Sequence, residues 1–216
     1  MNKDFEQRAY TFEMRAEQNE AGVGIITGRP IVYDTKTDIG WFDEIIARGA
    51  LDKTDLRDVR FLVNHDLSRI PLARSRNNNA NSTMQMTVDD RGMAIRVNLD
   101  IENNTDARNL YSAIDRGDIS GMSFMFRVDG EEWQNLDSDH PTRIITQIAN
   151  VVEVSAVTFP AYEDTEISVR NKEALDSAKS ALDSARRSQQ EALDSEARCE
   201  LELAKAKYYA KMKAGI

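Results

Sequence analysis

The chain has 216 residues, 41% apolar and 30% charged, enough to enclose the core of one ordinary domain with an appendage. Its formal charge of −9 lacks the basic footprint that nucleic-acid phosphates select, and its one cysteine, Cys199, excludes an internal disulfide and a structural zinc set and points to a reducing compartment. The polar start MNKDFEQRAY lacks the apolar stretch of a signal peptide, and no run approaches a membrane span.

Residues 1 to about 170 mix short alternating runs with glycine turns. Tyr10, Phe12 and Met14 alternate with polar residues, and GVGIITGRPIVYD follows, so the chain starts as sheet. WFDEIIARGAL predicts a short helix closed by Gly49, and DVRFLVNHD returns to strand. MQMTVDDRGMAIRVNLD predicts two strands around a turn at Asp90 and Gly92. NNTDARNLYSAIDRG predicts a helix capped by Thr105 and ended by Gly117. GMSFMFRV and RIITQIANVVEVSAVTFP complete a mainly β domain with flanking α, for which a compact β-barrel or strongly curved sheet is the economical architecture.

Composition changes once. Residues 171–216 hold no proline and one glycine, and Leu175, Leu182 and Leu193 recur in EALDSAK, SALDSAR and EALDSEAR at helical spacing. Leu201 and Tyr208 extend the apolar series. Two domains are therefore expected: a β domain over 1–170 and a helical tail over 171–216, which either docks, oligomerises or stands solvated.

In DISGMSFMF, a period of two turns Met122, Phe124, Phe126 and Val128 one way and Ser123, Met125 and Arg127 the other. A packed strand of this kind holds a hydroxyl firmly, and it also describes an ordinary half-buried sheet. Of the two histidines, His140 lies in the polar loop LDSDHP, whereas His65 follows the apolar run FLV and is the better placed general base. Glu153 sits in NVVEVSAV, where burial of an acid demands a partner; orienting His65 would supply one, and a solvent-facing position is the alternative. Asp66 adjoins His65, but consecutive side chains on a strand point apart. His65 with Asp66 and His140 with Asp139 offer too few ligands for a metal hydrolase, and G-M-S-F-M is not the G-x-S-x-G elbow of a serine esterase. No metal or cofactor is expected.

The ordered pieces GWFDEIIARGAL, VRFLVNHD, RGDISGMSFMF and VVEVSAVTFPAY resemble the HK97-type prohead proteases of tailed bacterial viruses, over roughly residues 20 to 165. The resemblance implies a herpesvirus-assembly-protease-like β-barrel, with Ser123 as nucleophile, His65 as base and then acid, and Glu153 as the residue orienting His65. It also implies a serine endopeptidase that cleaves the scaffolding segments of the major capsid protein, and itself, inside the assembling prohead in the host cytoplasm. A homodimer is consistent with that comparison, and nucleic acid and membrane are not expected partners. Oxyanion donors are sought near Arg69, Leu72 and Arg74. The competing reading is a non-enzymatic capsid assembly or scaffolding factor, in which Ser123 and His65 are separated or blocked even in the assembled state.

Overall fold

The computed structural model describes residues 5–11, 14–20, 22–158 and 169–214, so Phe12, the final FP of the expected last strand and the AY that ends the last motif lie outside the described residues. The chain divides into two compact units, Met1–Ala174 and Leu175–Ile216. In the first, β1 (Glu6–Thr11), β2 (Arg15–Gln18), β3 (Gly24–Val32), β4 (Thr37–Asp38), β5 (Asp43–Ile46), β6 (Asp58–Val63), β7 (Ala73–Arg76), β8 (Met84–Asp89) and β9 (Gly92–Leu99) precede helix α1 (Thr105–Asp115), after which come the long strands β10 (Gly121–Gln134) and β11 (Thr142–Val157). A single long helix, α2 (Val169–Ala214), ends the chain.

The expected barrel is not formed. The strands make two open sheets, one of seven strands in the order β1-β10-β11-β5-β4 with β6 and β7 branching from β11, the other of four in the order β2-β3-β9-β8. The branch is the physical reason. β11 spends one edge on β10 along its whole length, while its other edge is divided between β5, at Thr142 to Ile145, and β6, at Glu153 to Ala156. A strand whose edge forks in this way feeds two short parallel partners and leaves β1, β4 and β7 as termini of the sheet, so no ladder closes it among the described residues.

Both sheets cover one core, in which Ile26, Met93 and Val97 of the smaller meet Phe61, Met122, Phe124, Phe126 and Val154 of the larger. Phe124 and Phe126 lie with ring centroids 4.7 Å apart, and burying each contributes about 2–3 kcal/mol. The β8–β9 turn falls where the sequence puts it, and Gly92 is obligatory there: its φ is +126°, and a Cβ would lie 2.1 Å from the Ile31 carbonyl oxygen.

Two local expectations fail for readable reasons. WFDEIIARGAL is not a helix: Asp43–Ile46 is strand β5, because the β-branched pair Ile45 and Ile46 is drawn into parallel pairing with Ile144 and Ile145, and Gly49 (φ +86°) serves a turn. Helix α1 is capped by Asn104, not Thr105; its side chain accepts from the N–H groups of Asp106 (3.0 Å) and Ala107 (3.3 Å).

Candidate active site

Strand pairing brings the relevant side chains together. β10 and β11 set Ser123 opposite Ser155 and Met125 opposite Glu153, so Ser123, Glu153 and Ser155 project from one face. On the far side of β11, β6 runs parallel with Leu62 opposite Ser155, and its exit carries His65 toward the same spot.

His65 is not in the strand, as the apolar run suggested, but on the turn that follows. Asn64 (φ +50°) and His65 (φ +57°) are both left-handed, which bends the chain sharply off β6 and costs about 1–3 kcal/mol per residue unless the surroundings hold it. They do. The Asn64 backbone N–H donates to the Ala156 carbonyl (2.9 Å), its side-chain amide donates to Thr158 Oγ1 (3.1 Å), and its side-chain oxygen accepts from the Thr158 N–H (3.0 Å). The His65 N–H donates to Ser155 Oγ (3.1 Å).

The imidazole then reaches both ways. Its Nδ1 is hydrogen-bonded to Glu153 Oε1, and its Nε2 lies 2.6 Å from Ser123 Oγ. Glu153 is 0% exposed, and its other oxygen accepts from Ser155 Oγ at 2.6 Å. A carboxylate offers only lone pairs, so Nδ1 carries the imidazole proton and Nε2 faces Ser123 as an acceptor. A hydroxyl beside a basic nitrogen that is oriented by a buried carboxylate is equipped for nucleophilic attack with proton transfer.

Ser123 is 1% exposed, and its hydroxyl is also 2.8 Å from the Arg8 carbonyl on β1, which pairs with β10 so that Ala9 lies opposite Ser123. β1 is pinned by buried ion pairs: Arg8 to Glu6 (2.6 Å) and Glu44 (2.5 Å), and Arg143 to Glu6 (2.8 Å) and Glu44 (3.1 Å). Burial pushes the Glu6 carboxyl up, but the guanidiniums of Arg8 and Arg143 outweigh it and hold Glu6 below its ordinary value.

Other residues named from sequence have different employment. Asp66 binds the N–H and hydroxyl of Ser68 (3.0 and 2.5 Å), not the imidazole. His140 approaches Asp43 (3.1 Å) and Asp38 (3.8 Å), not Asp139, and Lys36 is ion-paired to the same Asp43. Around the expected oxyanion donors, the N–H groups of Arg69, Leu72 and Arg74 are given to Asp66 O (3.3 Å), Phe61 O (3.0 Å) and Thr83 Oγ1 (2.9 Å). The Arg74 guanidinium grips Asp58 at 2.5 and 2.7 Å, and that hydrogen bond holds the Asp58 carboxyl below its usual range. Asn64, Ser155 and Arg8 were not singled out from sequence. Ser155 had a signal, its spacing of two from Glu153, and so did Asn64, a residue tolerant of left-handed backbone next to the histidine.

Residues 10–180 match the family of the caudovirus prohead serine proteases. The chain belongs to that family. It is a serine protease with a proteolytic role in capsid maturation, and the reading as a non-enzymatic assembly factor gives way. No curated protein matches the chain. Among solved structures, this prohead protease is similar to the capsid assembly protease gp21 of bacteriophage T4, at 13% identity and a TM-score of 0.38, over 72% of this chain and 99% of that one. No helix among the described residues of the prohead protease is long and apolar enough to cross a membrane.

Proposed function

We propose that Ser123, His65 and Glu153 carry out the hydrolysis, as nucleophile, general base and acid, and orienting carboxylate. The observation that supports this best is the unbroken chain from Glu153 Oε1 through both imidazole nitrogens to Ser123 Oγ, built from three separate segments of the fold. Ser123 Oγ attacks the scissile carbonyl carbon as its proton passes to His65 Nε2. The tetrahedral adduct collapses, the C–N bond breaks, and the leaving amine takes that proton. Water then attacks the acyl-enzyme, gives a proton to His65, and Ser123 leaves with it. The Glu153 carboxylate steadies the imidazolium. Ser123 is 1% exposed, and the adjacent strand β1 places the Arg8 carbonyl 2.8 Å from its hydroxyl.

The substrates in this proposal are the scaffolding segments of the major capsid protein and the protease itself, cleaved inside the assembling prohead in the bacterial host cytoplasm. Residues 1–170 form the protease domain, and 171–216 form a tail that docks, oligomerises or is removed by self-processing. Leu193, Leu201 and Leu203, all more than half exposed on α2, offer such a tail apolar contacts. Association as a homodimer would draw on the same helix. The test is co-expression with the cognate capsid protein, read by intact mass. Wild type yields defined fragments and folded Ser123→Ala yields none; identical fragments from both would remove Ser123 from the mechanism.

A further inference from the structure

We propose that Ser155 is a positioning residue for the hydrolysis, acting through Glu153 and His65; this rests on the assignment of those two residues made above. Its hydroxyl is 0% exposed and makes two bonds of opposite sense, donating to Glu153 Oε2 (2.6 Å) and accepting from the His65 backbone N–H (3.1 Å). A hydroxyl supplies both a proton and free lone pairs at one atom.

Each bond fixes a different variable. Glu153 has one oxygen on His65 Nδ1, and the second would otherwise be a buried acceptor with nothing to stop the carboxylate plane from turning. Holding it sets the direction from which Nδ1 is met, and so the aim of Nε2 at Ser123. The bond from the His65 N–H secures the left-handed backbone of a residue that the β6–β11 ladder no longer reaches, since that ladder ends at the Ala156–Val63 pairing. Ser155 thus ties the orienting acid and the base to the same point on β11.

Ser155 sits directly opposite Ser123 on the neighbouring strand, yet its hydroxyl donates to Glu153 and not to the imidazole, so its role is placement.

The experiment is a double-mutant cycle of Ser155→Ala with Glu153→Gln in the full chain, measuring kcat and KM on a peptide spanning a mapped cleavage site. Thermal unfolding would confirm that each variant is folded. Ser155→Ala lowers kcat by about 10- to 100-fold with KM within about twofold, and in the Glu153→Gln background the same change costs less than about threefold. The downfield proton resonance of His65 Nδ1–H moves in Ser155→Ala while the fold is retained. An equal loss in both backgrounds, or a resonance and kcat unchanged by Ser155→Ala, would overturn the proposal. Ser123→Ala, run alongside, separates the two failures: activity surviving there sinks the triad, whereas activity lost there but intact in Ser155→Ala sinks only the role of Ser155.

Discussion

Two clusters of buried polar side chains are attached to the larger sheet, and they are built on opposite principles. In one, Arg8 and Arg143 are interleaved with Glu6, Glu44 and Glu131, charge against charge. Burial works against the Arg143 guanidinium, but Glu6 and Glu44 hold its proton more tightly than usual, and Glu6 is held deprotonated. In the other, one carboxylate, one imidazole and two hydroxyls share hydrogen bonds, and an acceptor nitrogen lies beside a hydroxyl. Burial of polar groups alone therefore does not mark a reaction centre; a proton with somewhere to go does.

The comparison breaks most directly at Ser123. Ser123→Ala should lower specific cleavage of capsid protein by about 10^4- to 10^6-fold, and Glu153→Gln by about 10^4-fold, with thermal unfolding little changed in either. Fragment yield and a melting curve on the same preparation check both. The ionic cluster should answer in the opposite currency. Arg143→Met, which strands buried carboxylates, should cost about 3–5 kcal/mol in urea unfolding while leaving kcat per folded molecule within a few-fold of wild type.

Acid sharpens the same contrast. Because the folded state holds Glu6 below its ordinary value of 4.5, its contribution to stability is complete above that pH and is lost as pH falls through the lower, folded value. Unfolding free energy followed downward from pH 5 should drop less steeply in Glu6→Gln than in wild type. The smallest effect expected is in neither cluster: Asn104→Ala removes the α1 cap, should cost about 1 kcal/mol in urea unfolding, and should leave cleavage unchanged.

Much of the fold is legible in local pattern. The alternation in MQMTVDD and GMAIRVNLD yields β8 and β9, and the apolar run before Asn64 yields β6. What depends on distant partners is not legible. Asp43–Ile46 looks helical until Ile144 and Ile145 arrive beside it, and the open sheet follows from the division of one edge of β11 between β5 and β6, which no local pattern encodes. At the site, Ser123, His65 and Glu153 stand out by residue type and come within hydrogen-bonding reach. His65 arrives there through a left-handed turn that periodicity does not register. The Arg8 carbonyl against Ser123 is a backbone contact set by pairing, so no side-chain pattern announces it.

The most direct test of the central claim is to treat the enzyme, while it is cleaving capsid protein, with a fluorophosphonate and to map the adduct by peptide mass spectrometry. The account predicts modification of Ser123, loss of cleavage in proportion, and no adduct in folded His65→Ala. An adduct on a different serine, or full cleavage by enzyme modified at Ser123, would contradict it.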